Sequence, residues 1–118
     1  MPTPQSSGPD LRRWQRLSVD VPVRLVVHRP AQVDSINGNG TALNEGGMCV
    51  VAGIEMRPGE QVTVEFTPPK TTESLRLWAA VRNRRDNRYG LEFLTENNGE
   101  SKQVERYRND LQQLRQSN

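Results

Sequence analysis

The sequence predicts a small antiparallel β-barrel or sandwich capped by one C-terminal helix, and three observations carry that expectation. Apolar and polar residues alternate with period two through several short stretches, as half-buried strands require. Gly, Pro and Asn punctuate these stretches at close spacing. Near the end the period lengthens, placing Val104, Tyr107, Leu111 and Leu114 on one helical stripe. At 118 residues the chain is expected to be one domain.

The elements follow in order. Residues 1–10 are rich in Pro and Ser and read as a disordered tail. "RRWQR" (Arg12–Arg16) is a charged collar carrying Trp14, which is expected either to pack on the domain or to face a ligand. Val19, Val21, Val23, Leu25 and Val27 then form the apolar face of a first strand, with Asp20, Arg24 and His28 opposite. Pro22 inside that pattern predicts an edge position or a bulge. A second strand is expected from Val33 to Leu43, interrupted at Asn37 and the glycines, and a short third from Met48 to Ala52. "RPGE" (Arg57–Glu60) reads as a tight turn. Val62, Val64 and Phe66 mark a fourth strand, ended by Pro68 and Pro69. Leu75, Leu77, Ala79 and Val81 mark a fifth, with Arg76, Trp78 and Arg82 opposite. "RRDNR" (Arg84–Arg88) is a hairpin tip, and Tyr89, Leu91 and Phe93 mark the sixth strand. The barrel is thus placed at residues 11–95 and the helix within 96–118.

Composition excludes several functions. Cys49 is the only cysteine and His28 the only histidine, which removes a disulfide framework and an ordinary zinc site. Cys49, between Met48 and Val50, reads as a buried apolar residue. No apolar run approaches the ~20 residues of a membrane helix, and no hydrophobic signal core opens the chain, so the expected location is the cytoplasm. His28 has no nucleophile elbow near it and no carboxylate pair stands out, so an enzyme is not expected. A net charge of +2 is small for a nucleic-acid binder. Trp78 between Arg76 and Arg82 is the one hint of such a surface, and six aromatic residues are too few to supply both a core and a stacking platform.

Of 16 cationic residues only Lys70 and Lys102 are lysine, and two arginine pairs share the spacing R-x-x-x-R: Arg12 with Arg16, and Arg84 with Arg88. The second pair lies on a hairpin tip, where solvated charge is usual. The first lies between the tail and the first strand, on a segment able to fold over a ligand. "GNGTALNEGGMCV" (Gly38–Val50) is dense in residues that permit tight turns and close backbone approach.

Taken in series, "RRWQR" before a strand opening "VDVPVRL", "ALNEGG" leading into a strand, and "RYGLEF" in the last strand resemble the PilZ domain family, over about residues 11 to 95. The resemblance implies a six-stranded antiparallel β-barrel with a C-terminal α-helix. It also implies a bacterial receptor for the second messenger cyclic di-GMP that acts on an effector protein. The family's ligand motifs are R-x-x-x-R and D/N-x-S-x-x-G. By that analogy the site comprises Arg12, Arg13 and Arg16, with Ala42, Asn44, Gly46 and Gly47 on the barrel. The arginine segment (residues 12–16) is then a switch that clamps phosphates and stacks on guanines.

Only Gly47 matches the second motif outright. Asn44 stands where serine is usual, and its amide carries both a donor and an acceptor. Ala42 stands where a carboxylate or amide would accept from guanine, and a methyl cannot. An unpaired buried base edge costs about 1–3 kcal/mol, roughly 5- to 150-fold in affinity. Asn37 and Asn39 are the candidates for making up that contact. The alternative expectation is a PilZ-like barrel that has lost the nucleotide and serves as a protein-interaction module. The helical stripe is expected to pack on its own barrel; a projecting helix would instead offer a heptad-like seam for a homodimer.

Overall fold

A computed structural model describes residues 15–94 and 101–116. The tail at residues 1–10, Arg12, Arg13 and Trp14 lie outside the described residues, as do residues 96–100. Six strands, β1 (Leu17–His28), β2 (Val33–Asn44), β3 (Gly47–Ala52), β4 (Gln61–Phe66), β5 (Leu75–Arg85) and β6 (Arg88–Phe93), precede one helix, α1 (Ser101–Gln116). All strand pairs are antiparallel, and the order β1-β2-β3-β6-β5-β4 closes on itself through β1 and β4. Of the two architectures the alternation allowed, the barrel forms and the sandwich does not.

The alternating apolar residues point inward as expected. Leu25, Val27, Val50, Val62, Val64, Leu77, Ala79, Val81 and Leu91 are all fully buried. Complete burial of one such side chain contributes about 1.5–3 kcal/mol. β2 differs from its expected form: it runs unbroken through Asn37, Gly38 and Gly40. Gly38 faces inward where a side chain would approach Val51 O within 2.7 Å, so its lack of one lets the hairpin close and does not end the strand. Pro22 pairs with Asn39 just past an irregularity between Ser18 and Val21, as its place in the pattern suggested.

α1 covers the barrel end formed by the β2–β3 turn, the end of β4, the start of β5 and the end of β6. Its stripe of Val104, Tyr107, Leu111 and Leu114 is buried against the barrel. Tyr107 packs edge-on against Phe93 (5.0 Å between centroids) and Phe66 (5.9 Å). The stripe that a dimer seam would have used is therefore covered by the chain itself.

At the opposite end, Arg29 donates to Asp34 (2.6 Å), to Glu60 (3.0 Å) and to the Glu55 carbonyl (2.6 Å). The hydrogen bond from Arg29 holds the Glu60 carboxyl below the usual carboxylate range, against the opposing effect of burial. A depressed folded pKa contributes stability that is fully present above the ordinary carboxylate pKa and lost as pH falls through the lowered one. Acid melting curves of wild type and E60Q should therefore converge as pH falls, the wild type losing more of its melting temperature. Parallel curves would show that this network does not set the acid limit.

Candidate functional site

The barrel carries its candidate site on the outer face. Ala42 on β2 sits opposite Cys49 on β3, Cys49 opposite Gly90 on β6, and Gly90 opposite Asn83 on β5. This transverse row floors a pocket of about 220 Å³, lined also by Leu43, Met48, Asn44 and, from the β1 side, Arg16. Two register shifts build it. One lies in β2 between Gly40 and Ala42, the other in β5 between Val81 and Asn83. Each inserts one extra residue and reverses which way the following side chains face.

Arg16, Ala42 and Asn44 therefore converge although 26 residues of sequence, 42 less 16, separate the first two. Arg16 donates to the sulfur of Cys49 at 3.3 Å. Thiol sulfur is a weak acceptor. Arg29, Arg76, Arg82, Arg84, Arg106 and Arg115 each meet a carboxylate. Arg16 has no carboxylate partner among the described residues. The structure thus leaves a guanidinium over the pocket held by a weak acceptor.

Ala42 is buried in the pocket wall and presents only its methyl. Asn44 is buried too, but its side-chain oxygen accepts from the Gly46 N–H at 2.8 Å, an Asx turn that shapes the two-residue β2–β3 loop. Gly46 and Gly47 are not among the pocket-lining residues. Gly46 accepts from the Phe93 N–H at 2.9 Å, and a side chain at Gly47 would lie 1.9 Å from Leu91 O. At Gly47 the missing side chain admits backbone of β6. Cys49 departs from the buried apolar reading: it is half-exposed and faces outward, because the β2 irregularity pairs it with Ala42 in the pocket row.

Neither Asn37 nor Asn39 reaches the pocket. Asn39 donates to Asp20 at 2.8 Å, and Asn37 lines a separate surface cleft with Arg24 and Glu65. Leu43, Met48, Cys49, Asn83 and Gly90 are the lining residues that the sequence did not mark as site residues. Of these only Gly90, an outward glycine in the middle of a strong strand, carried a signal. Away from the pocket, His28 stacks on Trp78 with centroids 4.5 Å apart and shares a hydrogen bond with Thr63 at 3.3 Å. That pairing leaves Trp78 half-buried on the barrel wall.

α1 reaches the rim of the site. The Tyr107 hydroxyl donates to the carbonyls of Asn44 (2.5 Å) and Gly47 (3.4 Å). Burial, followed by the charge of Glu45, pushes that hydroxyl above the usual phenol range, so it remains a donor across ordinary pH. Arg115 pairs with Glu45 at 3.0 Å and donates to the Gln15 carbonyl, one residue before Arg16. The helix, the barrel loop and Gln15 meet at one point.

The described residues thus form a closed barrel with an outward pocket and a helix anchored at the pocket's rim. The profile of the PilZ domain matches residues 10–110, through the barrel and into the first part of α1, and the chain belongs to the PilZ domain family. Among solved structures it is similar to the PilZ domain of CeSA from a cellulose-synthesizing bacterium, with a TM-score of 0.63 and 18% identity over 83% of this chain and 98% of that one. It is also similar to the PilZ domain of YcgR from Escherichia coli, solved with c-di-GMP, with a TM-score of 0.60 and 14% identity over 92% of this chain and 96% of that one. The Bacillus subtilis inhibitor of motility MotI (DgrA) matches with a TM-score of 0.60 and 19% identity, over 88% of this chain and 52% of its own. A search of curated proteins finds no match. No helix among the described residues is long and apolar enough to cross a membrane.

Proposed function

We propose that this PilZ domain is a cytoplasmic bacterial receptor for cyclic di-GMP. The observation that carries the reading is Arg16: a guanidinium with no carboxylate partner among the described residues, aimed across a preformed pocket. A phosphate would replace the weak sulfur contact with a charge-assisted, forked one. The pocket, at about 220 Å³, falls below the ~300–1,000 Å³ of a complete ligand cleft. It suits a single base, leaving the rest of the dinucleotide to be covered by the segment bearing Arg12 and Arg13. Closure of that segment moves Gln15, to which Arg115 is bonded, so it bears directly on α1. The helix rim is then the surface that an effector protein reads.

The competing reading is a barrel without nucleotide that acts as a protein-interaction module. Two observations favour it: the methyl of Ala42 where a base-reading group is expected, and the Asn44 oxygen already engaged by Gly46. Calorimetric titration of the wild type with cyclic di-GMP at moderate salt separates the two. Saturable binding is expected, and silence at high micromolar ligand would overturn the receptor reading in favour of the module. A42D should tighten binding by roughly 5- to 150-fold, because its carboxylate accepts from the guanine N–H groups at the pocket wall. A substitution that leaves affinity unchanged would show that position 42 does not meet a base.

A further inference from the structure

We propose, on the basis of the receptor reading, that Asn83 is the base-reading residue of this site and takes the place left empty by Ala42. Alternation along β5 alone would send Asn83 inward, beside Val81. The extra residue at Arg82 turns it outward, opposite Gly90, while Arg82 itself is held by Glu92 at 2.5 Å. Gly90 makes room for it. A side chain at Gly90 would come within 2.6 Å of both the nitrogen and the oxygen of the Asn83 amide, so that amide lies flat across the glycine and on the pocket row.

The polar groups of the pocket leave Asn83 this part. The Asn44 oxygen is committed to its own turn, and the Arg16 guanidinium can only donate. Asn83 is exposed and has no hydrogen-bond partner among the described residues, so its donor and acceptor are both available. An amide matches the adjacent N1–H and O6 of guanine with two parallel hydrogen bonds. Turned over, it also matches the N1 and amino group of adenine. A carboxylate accepts only. With Asn83 reading the base, the recognised class is cyclic purine dinucleotides, and discrimination between guanine and adenine is weaker than a carboxylate would impose.

The test uses wild type, N83A and N83D, each titrated with cyclic di-GMP and with cyclic di-AMP, with melting temperatures measured alongside. Asn83 is exposed and supports no other group, so the melting temperatures should coincide. N83A should lower cyclic di-GMP affinity by roughly 5- to 150-fold. N83D should raise the ratio of cyclic di-GMP to cyclic di-AMP affinity by a similar factor, because its second oxygen opposes adenine N1. A group acting only on phosphate or on folding would move both ligands together. If the wild type binds cyclic di-GMP and N83A binds it equally well, or N83D shifts both ligands alike, the inference about Asn83 falls and the receptor reading stands. If the wild type binds neither ligand, the receptor reading itself falls.

Discussion

On the receptor reading, Arg16→Ala should lower the affinity for cyclic di-GMP by roughly 10- to 150-fold, the expected loss of charge-assisted hydrogen bonds to a phosphate in a partly enclosed site. Arg84→Ala, from the other R-x-x-x-R pair, should leave that affinity unchanged. Spacing cannot tell the two pairs apart; their surroundings can. Arg84 already bonds Glu55 at 3.2 Å and lies over the Tyr89 ring at 5.7 Å, so its loss touches the barrel end alone. An exposed pair of that kind contributes at most about 1 kcal/mol to stability. Among the described residues Arg16 holds only the Cys49 sulfur, so its removal should cost the fold little and a bound phosphate much. Calorimetric titration of both variants, with melting curves as a folding control, checks the contrast. Equal losses of affinity would remove the assignment of the site to the N-terminal segment.

Gly47→Ala destabilises the domain by more than about 3 kcal/mol, a drop of roughly 10 °C or more in melting temperature. The added methyl would sit 1.9 Å from Leu91 O, a backbone carbonyl within the β3–β6 ladder. No rotamer change relieves an overlap between a Cβ and a carbonyl. Either the ladder opens at its first pair or the loop shifts and strains the Tyr107 hydroxyl contacts to Asn44 and Gly47. Gly53→Ala is the control, since nothing lies within 4 Å of a side chain there. Thermal denaturation of the two variants reads the difference directly. A mild effect at Gly47 would mean that β3 and β6 can separate at this end without unfolding.

Much of this architecture is legible in the linear pattern. Strict alternation in Val21–Val27 and Leu75–Val81 marks inward faces, and the residues so marked are buried. The change of period at Val104 marks the helix and its docked face. The place of Arg16, Ala42 and Asn44 in one site was legible only through resemblance to a family, because no local pattern joins residues on different strands. Gly47 shows the limit of a linear pattern. Glycine signals close approach, and the approaching group proves to be the neighbouring strand.

By itself, then, the sequence determined the element order, the inward faces and the helical cap, because periodicity acts within a segment and decides which side of it turns from water. Only the tertiary structure decided that β2 runs unbroken, that Cys49 faces outward, and that Asn83 joins the pocket while Asn37 and Asn39 do not. Each of those outcomes depends on pairing between strands distant in sequence. A single extra residue in a ladder reverses the facing of all that follow it, and no period within one strand records where its neighbour will force that slip.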